Sequence, residues 1–352
     1  MNAISHRNIQ NGTSPFEDQF GRQKRKLRIS VTDRCNFKCV YCMPEHPQWM
    51  RKQDLLSFEE LYQFCDFMVR RGIEHIRITG GEPLMRQGVV HFISTLQQLK
   101  KIGLKKVSMT TNAHYLSQYA AALKQAGLDD LNISLDSLDA EQFLKLTQKQ
   151  LQAVLDGIQQ AQEVGLPIKI NAVLIKGMNE DQILPLAHWS IQNHCVVRFI
   201  EFMPLDGDAQ WSKAHVVTEQ EILNTLKQDF EVTTQQGKSS EPARQYLING
   251  HPIGIISTIS NSFCGTCDRL RLTAKGEFYN CLFAPQGMDL KTQIQGLNTQ
   301  QSDARIRLHH TLLEYIWHKK QGFDVIQQEE STFKISAKNI ESRKISMYMI
   351  GG

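Results

Sequence analysis

Leu27-Arg28-Ile29-Ser30-Val31 runs through Thr32-Asp33-Arg34 into Cys35-Asn36-Phe37-Lys38-Cys39-Val40-Tyr41-Cys42, and the reading of this passage decides the fold. Its first five residues alternate in polarity and read as a β-strand. The polar loop that follows offers three thiols at C-x3-C-x2-C spacing. Such a set suits zinc. It suits equally a [4Fe-4S] cube whose fourth iron has no protein ligand and is open to a small molecule.

Working outward, the chain alternates strand-like and helix-like segments. Strands are predicted at 27–31, 74–79, 105–110, 130–135, 167–175 and 195–202, and helices at 57–70, 87–101, 116–126, 148–164 and 182–192. Ser57-Phe58-Glu59-Glu60 supplies a capping box, and Gly72, Gly103, Gly127 and Gly165 stand where helices should stop. Six such units are too few for a closed eight-stranded barrel; repeated right-handed crossovers curl them into an open one. The expected fold class is α/β, an incomplete (β/α)6 TIM-type barrel with a C-terminal segment of hairpins and helices covering the open barrel.

Parity within the strands separates a polar set from an apolar one. Arg28/Ser30/Thr32, Arg77/Thr79, Ser108/Thr110, Asn132/Ser134/Asp136, Lys169/Asn171 and Glu201 alternate with Ile29/Val31, Ile76/Ile78, Val107/Met109, Ile133/Leu135, Ile168/Ile170/Ala172 and Ile200/Phe202. Parallel strands covered by helices are ordinarily apolar on both faces. A polar set therefore points into the barrel and lines a cavity that holds Arg28, Arg77 and Lys169.

Three regions are expected: a flexible extension over 1–23, a partial barrel over 24–229 and a C-terminal region over 230–352. Gln23-Lys24-Arg25-Lys26 reads as a solvated entry to the first strand. Beyond a helix at about 219–229, short strands at 230–233, 244–248 and 254–256 lead to a second thiol group, Cys264, Cys267 and Cys281. Strands at 269–273 and 277–282 and a helix at 302–320 follow. Cys65 and Cys195 stand alone and read as small buried hydrophobes. No nearby residue completes a zinc set for the second triplet, His251 being the closest.

The 352 residues are 41% hydrophobic and 22% charged, as in a globular protein, and the formal charge of +4 makes no case for nucleic acid. No apolar run reaches transmembrane length, so a cytoplasmic protein without membrane partners is expected. In a reducing compartment, close-spaced thiol triplets indicate metal rather than disulfides.

Cys35-x3-Cys39-x2-Cys42 together with Gly80-Gly81-Glu82-Pro83 after the second strand resembles the radical S-adenosylmethionine superfamily. Adding Asn261 to Thr273, Cys281 and a terminal Gly351-Gly352 narrows the resemblance to the GTP 3',8-cyclase family, from about Leu27 to the end. The resemblance implies two [4Fe-4S] clusters and S-adenosyl-L-methionine as cofactors, the first step of molybdenum cofactor biosynthesis as the role, and GTP as substrate. Cys35, Cys39 and Cys42 would hold one cluster, and Cys264, Cys267 and Cys281 the other. Tyr41, Gly81, Glu82, Ser134 and Met203 would surround S-adenosylmethionine. Arg28, Arg77, Thr110, Lys169, Arg269, Arg271, Gly351 and Gly352 would meet GTP, with Arg269 and Arg271 also acting in catalysis. Implied partners are an electron donor such as flavodoxin or ferredoxin and a cyclic pyranopterin monophosphate synthase that takes the product. Two other readings compete: a peptide- or tetrapyrrole-modifying radical enzyme, and a zinc-binding RNA interaction module. The oligomeric state is left open, a homodimer included.

Overall fold

The protein is described from a computed structural model covering residues 14–205, 211–235, 241–298, 302–323, 325–326 and 346–351. Six β/α units open it. Strands β1 (Lys26–Ser30), β2 (His75–Thr79), β3 (Lys106–Thr111), β4 (Asp130–Ser134), β5 (Ile168–Leu174) and β6 (Val196–Glu201) pair in parallel and in chain order. Helices α1 (Phe58–Val69), α2 (Val89–Leu96), α3 (Leu116–Gln125), α4 (Ala140–Thr147), α5 (Gln152–Glu163) and α6 (Ile183–Gln192) lie between them, and α7 (Glu219–Leu226) follows β6. The capping box at α1 forms as read: Ser57 Oγ accepts from the Glu60 amide at 3.1 Å, and Glu60 Oε2 accepts from the Ser57 amide at 2.7 Å.

The C-terminal third extends the same sheet at both edges. Strands β7 (Val232–Gln235), β8 (Arg244–Ile248) and β9 (His251–Ile256) form a meander whose last strand pairs parallel to β6. Strand β10 (Arg269–Leu272) pairs parallel to β1, and β11 (Glu277–Tyr279) and β12 (Met288–Asp289) add antiparallel to it. Eight parallel strands thus run in a row, β10-β1-β2-β3-β4-β5-β6-β9, between two antiparallel margins. Helices α8 (Lys291–Gln295), α9 (Ser302–Trp317) and α10 (Met347–Ile350) complete the described chain.

The apolar parity faces the helices. Leu27, Ile29, Ile76, Ile78, Val107, Met109, Leu131, Ile133, Ile170 and Ala172 are fully buried in one continuous core. Their alternates Arg28, Arg77, Thr110, Ser134, Lys169 and Asn171 keep accessible surface although they stand in mid-sheet. Accessible side chains inside a curled sheet line a cavity. Cys65 and Cys195 are buried, as small apolar residues would be.

Three expectations are corrected. Residues 14–23 are no loose extension: Phe16 and Asp18 are fully buried, Glu17 bridges to Gln23, and Lys24 in the basic run is 1% exposed because it pairs with Asp18. Residues 1–13 lie outside the described region. The helix expected over 148–164 forms as α5, but α4 precedes it where no helix was expected. Asp139 caps α4 by accepting from the Gln142 amide, and Gln148 in the left-handed region (φ 59°) breaks the chain before α5. Glu201 does not face the cavity. It pairs with Leu174, on the helix-facing parity, and its carboxylate accepts from the amides of Glu219, Ile259 and Ser260. Arg198 takes the inward place instead, in register with Asn171.

Candidate active site between two cysteine loops

The first cysteine loop hangs from α4. The amides of Lys38 and Val40 donate to the Thr147 and Leu146 carbonyls at 3.0 and 3.1 Å, and the Cys42 and Met43 amides turn back onto the Cys39 carbonyl at 3.0 Å. Cys35 Sγ accepts from the Phe37 amide at 3.4 Å and from Asn112 Nδ2 at 3.8 Å. Tyr41 donates to Asp136 Oδ2 at 2.7 Å, and Asp136 Oδ1 accepts from the Val173 amide. Burial pushes the Asp136 carboxyl up to about 6 against those two hydrogen bonds.

Gly80 and Gly81 let β2 run directly against the chain that enters this loop. A Cβ on Gly81 would stand 2.3 Å from the Arg34 carbonyl oxygen, and one on Gly80, at φ 147°, 2.4 Å from that of Thr32. No other residue fits at either place. Glu82 is fully buried and accepts from the Leu84 and Asn112 amides and from Thr111 Oγ1. Burial raises its carboxyl to about 7, opposed by those donors. The glutamate thus braces the rim by tying β3 to the turn after β2.

The second triad lies at the other end of the strands. Cys267 leads into the start of β10, whereas Cys35 follows the end of β1, its parallel neighbour. Cys281 returns from β11, and Phe283 donates its amide to Cys281 Sγ at 3.5 Å. The Arg269 guanidinium stacks 4.6 Å from the Phe263 ring centroid. Burial alone would raise the Cys267 thiol, yet Arg269, hydrogen-bonded to it, and the Lys319 ammonium hold it well below the usual thiol range. His251 is occupied elsewhere, its Nε2 meeting the Cys195 carbonyl at 2.9 Å.

Between the loops lies a stack of cations. Arg271, Arg28 and Arg77 stand side by side on β10, β1 and β2, and the row continues through Ser108 to Asp130. A second row carries Thr110, Asn132 and Lys169, and a third Ser134, Asn171 and Arg198. Burial, then repulsion from Arg271, Arg77, Arg269 and Arg198, drives the Arg28 guanidinium well down from its ordinary value. Arg198 and Arg271 fall to about 10, chiefly through burial. Asp130 answers part of this charge, binding Lys106 at 2.6 Å and standing 3.8 Å from Lys169. Among the described residues, Arg77 Nη1, Arg198 Nε and Nη2, and Arg271 Nε are buried without a hydrogen-bond partner. Buried, mutually repelling guanidinium groups with idle N–H donors are arranged for a polyanion.

The tail closes this space. Tyr348 on α10 meets Trp49 edge to face at 5.7 Å, Met347 donates its amide to the Leu205 carbonyl, and Ile350 packs with Tyr279 beside Leu282. Gly351 (φ 74°) lies where a Cβ would be 2.3 Å from Thr79 Cγ2. Gly352 lies outside the described residues. Met203 packs in a small apolar group that also receives Cys264 and Cys281. The structure thus brings the predicted arginines, Lys169, Thr110 and Ser134 to one cavity, and sets Tyr41, Gly81 and Glu82 at its first-triad rim. Arg198 and Asn112 escaped the sequence reading, and Asp136, read as inward-facing, was given no role there. The Arg198 signal was present, since Val197 and Phe199 are the apolar pair that flanks it.

The thiols fit iron–sulfur ligation by their chemistry. All six are free, and Cys35, Cys39 and Cys42 lie close enough that each would raise its neighbours' proton affinity if ionised alone. A positive inorganic core relieves that repulsion. Among the described residues no three His, Cys, Asp or Glu side chains converge on a single metal ion. A cube spreads its thiolates over separate irons, a wider arrangement. An open groove of about 710 Å³ beside α2 and α3 lies outside the barrel and includes none of these residues.

A family model of the Radical SAM superfamily matches residues 29–190, and one of Molybdenum Cofactor Synthesis C matches 195–325. The GTP 3',8-cyclase of Streptomyces coelicolor is 40% identical over 320 residues, which cover 88% of this chain and 92% of that one. Its counterpart in Staphylococcus haemolyticus is 36% identical over 348 residues, covering 96% and 99%. Among solved structures, Streptococcus suis SuiB bound to S-adenosylmethionine has a TM-score of 0.59 at 15% identity, covering 86% of this chain and 68% of that one, a likeness of fold. No helix among the described residues is long and apolar enough to cross a membrane. Proteins of the radical superfamily work with S-adenosylmethionine and an iron–sulfur cluster. With matches spanning both halves and relatives at this identity over nearly the whole length, the chain belongs to the GTP 3',8-cyclase family of the radical S-adenosylmethionine superfamily.

Proposed function

We propose that this protein cyclises GTP to (8S)-3',8-cyclo-7,8-dihydroguanosine 5'-triphosphate, the first step of molybdenum cofactor biosynthesis. The observation that carries the proposal is the row of inward-facing guanidinium groups, Arg271, Arg28, Arg77 and nearby Arg198, with idle donors on Arg271, Arg77 and Arg198, in a cavity between two cysteine loops. A triphosphate supplies the charge that this row lacks.

Cys35, Cys39 and Cys42 would hold one [4Fe-4S] cluster, with S-adenosylmethionine beside Tyr41, Gly81, Glu82, Ser134 and Met203. Cys264, Cys267 and Cys281 would hold a second cluster facing the guanine. When bound, the first cluster and S-adenosylmethionine supply a 5'-deoxyadenosyl radical able to take the C3' hydrogen of GTP. The chain's own work is placement. Arg28, Arg77, Arg198 and Lys169 hold the phosphates, Thr110 takes a polar edge of the nucleotide, and Arg269 and Arg271 fix the base end near Cys267. Holding C3' against C8 is worth several orders of magnitude in rate. Gly351 carries the tail into the cavity without a side chain, which keeps water from the reacting atoms.

In this reading residues 24–229 are the radical barrel and 230–352 the second-cluster and substrate-binding region. A flavodoxin or ferredoxin delivers electrons at the first cluster, and the product passes to a cyclic pyranopterin monophosphate synthase. The test is anaerobic reconstitution followed by incubation with S-adenosylmethionine, dithionite and GTP. About eight irons per chain and a cyclised nucleotide are expected. A 5'-deoxyadenosine yield indifferent to GTP would remove GTP as the substrate.

A further inference from the structure

We propose that Arg22, Lys24 and Lys319 are positioning residues for the second cysteine triad, each a buried cation gripping the main-chain carbonyl of one cysteine-bearing segment. Arg22 Nη1 donates to the Cys264 carbonyl at 2.7 Å. Lys24 Nζ donates to the Cys267 carbonyl at 2.9 Å. Lys319 Nζ donates to the carbonyl of Asn280, the residue before Cys281. The three are 7%, 1% and 2% exposed, so none is a solvated surface cation.

One carboxylate organises two of them. Asp18, fully buried, accepts from Arg22 Nε at 2.7 Å and from Lys24 Nζ at 2.5 Å. Arg22 reaches on to the Gln321 and Lys320 carbonyls at 2.8 and 2.9 Å, and the Gln19 amide meets the Trp317 carbonyl. Residues 18–24, the Cys264–Cys267 turn, the end of β11 and the end of α9 are thereby locked together. Yet two of these buried cations share the single carboxylate of Asp18 and the third, Lys319, meets a carbonyl, and uncompensated burial of an ammonium is expensive. The geometry gives the reason for tolerating it. All three point at peptide groups carrying the thiols, where a core bound by three thiolates brings the missing negative charge. Second-layer donors of this kind fix ligand orientation and tune the metal site.

The inference rests on the two-cluster reading above, and the experiment separates the two. The full chain and its variants are reconstituted anaerobically, iron and sulfide are counted, and reduced samples are examined by electron paramagnetic resonance with and without S-adenosylmethionine. In the double variant Arg22→Gln/Lys24→Met, about four irons are expected in place of about eight. The surviving signal should still change on adding S-adenosylmethionine, which identifies it as the first cluster. Lys319→Met, which removes one charge and strands no carboxylate, is expected to keep its iron and shift the second cluster to a more negative reduction potential. A double variant with all its iron and an unaltered second-cluster spectrum overturns the proposal. Should the double variant lose both clusters by unfolding, the decision passes to Lys319→Met, where an unchanged potential overturns the proposal. A wild-type chain with only about four irons removes the two-cluster reading itself, and this proposal with it.

Discussion

Arg198 shows how binding and stability pull against each other at one residue. Its guanidinium is buried and repelled by Arg77, and its Nε and Nη2 find no hydrogen-bond partner among the described residues. Arg198→Gln is therefore expected to raise the stability of the free protein by about 1 kcal/mol or more, since a poorly compensated buried charge is removed. The same change should weaken GTP binding by roughly 10- to 100-fold, the worth of a charge-assisted hydrogen bond. Thermal melting paired with anaerobic calorimetry checks both signs; a variant that loses stability and affinity together would mean that Arg198 is a structural cation. Gly351→Ala offers a sharper geometric test. The new methyl would lie 2.3 Å from Thr79 Cγ2 in a backbone at φ 74°, so the tail must withdraw. Turnover of GTP should drop by up to about 100-fold, the cost of small misplacements, while the melting temperature stays put. Both cysteine triads were legible from their spacing, and the inward arginines of β1, β2 and β10 from strand parity, which is strict. Arg198 was missed for the same reason: reading Glu201 as inward flipped the whole of β6.

At the scale of elements, what the sequence hid was a matter of breaks rather than of patterns. Apolar spacing placed α1, α3 and α6 correctly, yet α4 was missed although it carries the amide contacts of the first cysteine loop. Eight residues hold little periodicity, and Gln148 ends the helix without a glycine to mark it. Helix α9 was expected, and Leu308, Leu312 and Ile316 form its buried stripe. Its partner could not be read, because His309 meets residues 238 and 295 positions away. His309 Nε2 pairs with Ser14 Oγ at 3.1 Å, and Nδ1 accepts from Arg71 Nε at 3.0 Å. Burial, then the positive charge of Arg71 and of His310, brings the imidazole down to about 4. Between pH 4 and the ordinary value of 6.5 the unfolded chain thus holds more protons than the folded one, so stability rises with pH. The contribution is complete above 6.5 and fades as pH falls towards 4, about 3 kcal/mol in all. Urea unfolding of the iron-free chain against His309→Gln should show the wild type losing stability relative to the variant over that range. Parallel curves would remove the histidine from the account.

At the scale of the molecule, both edges of the six-stranded barrel are covered by strands from the C-terminal third, β10 on β1 and β9 on β6. A chain ending at Asp229 would leave two bare parallel edges, each a template for pairing with other chains. Such a truncation is expected to aggregate and to retain no cluster, as light scattering and iron content would show; a soluble truncation with about four irons would establish that the barrel stands alone. The barrel was legible because each β/α unit is local, while the edge assignments depend on partners far along the chain. That distance also orders events in time. Lys26 waits for Arg269, and at roughly 10 residues per second the ribosome needs on the order of 25 seconds to supply it. Throughout that interval Cys35, Cys39 and Cys42 belong to a sheet with an open flank. Cys281 emerges after both edge strands, so the second triad is assembled only when the sheet is nearly complete. The two triads are therefore completed at different times by synthesis itself, the first thiols long before the last of the second.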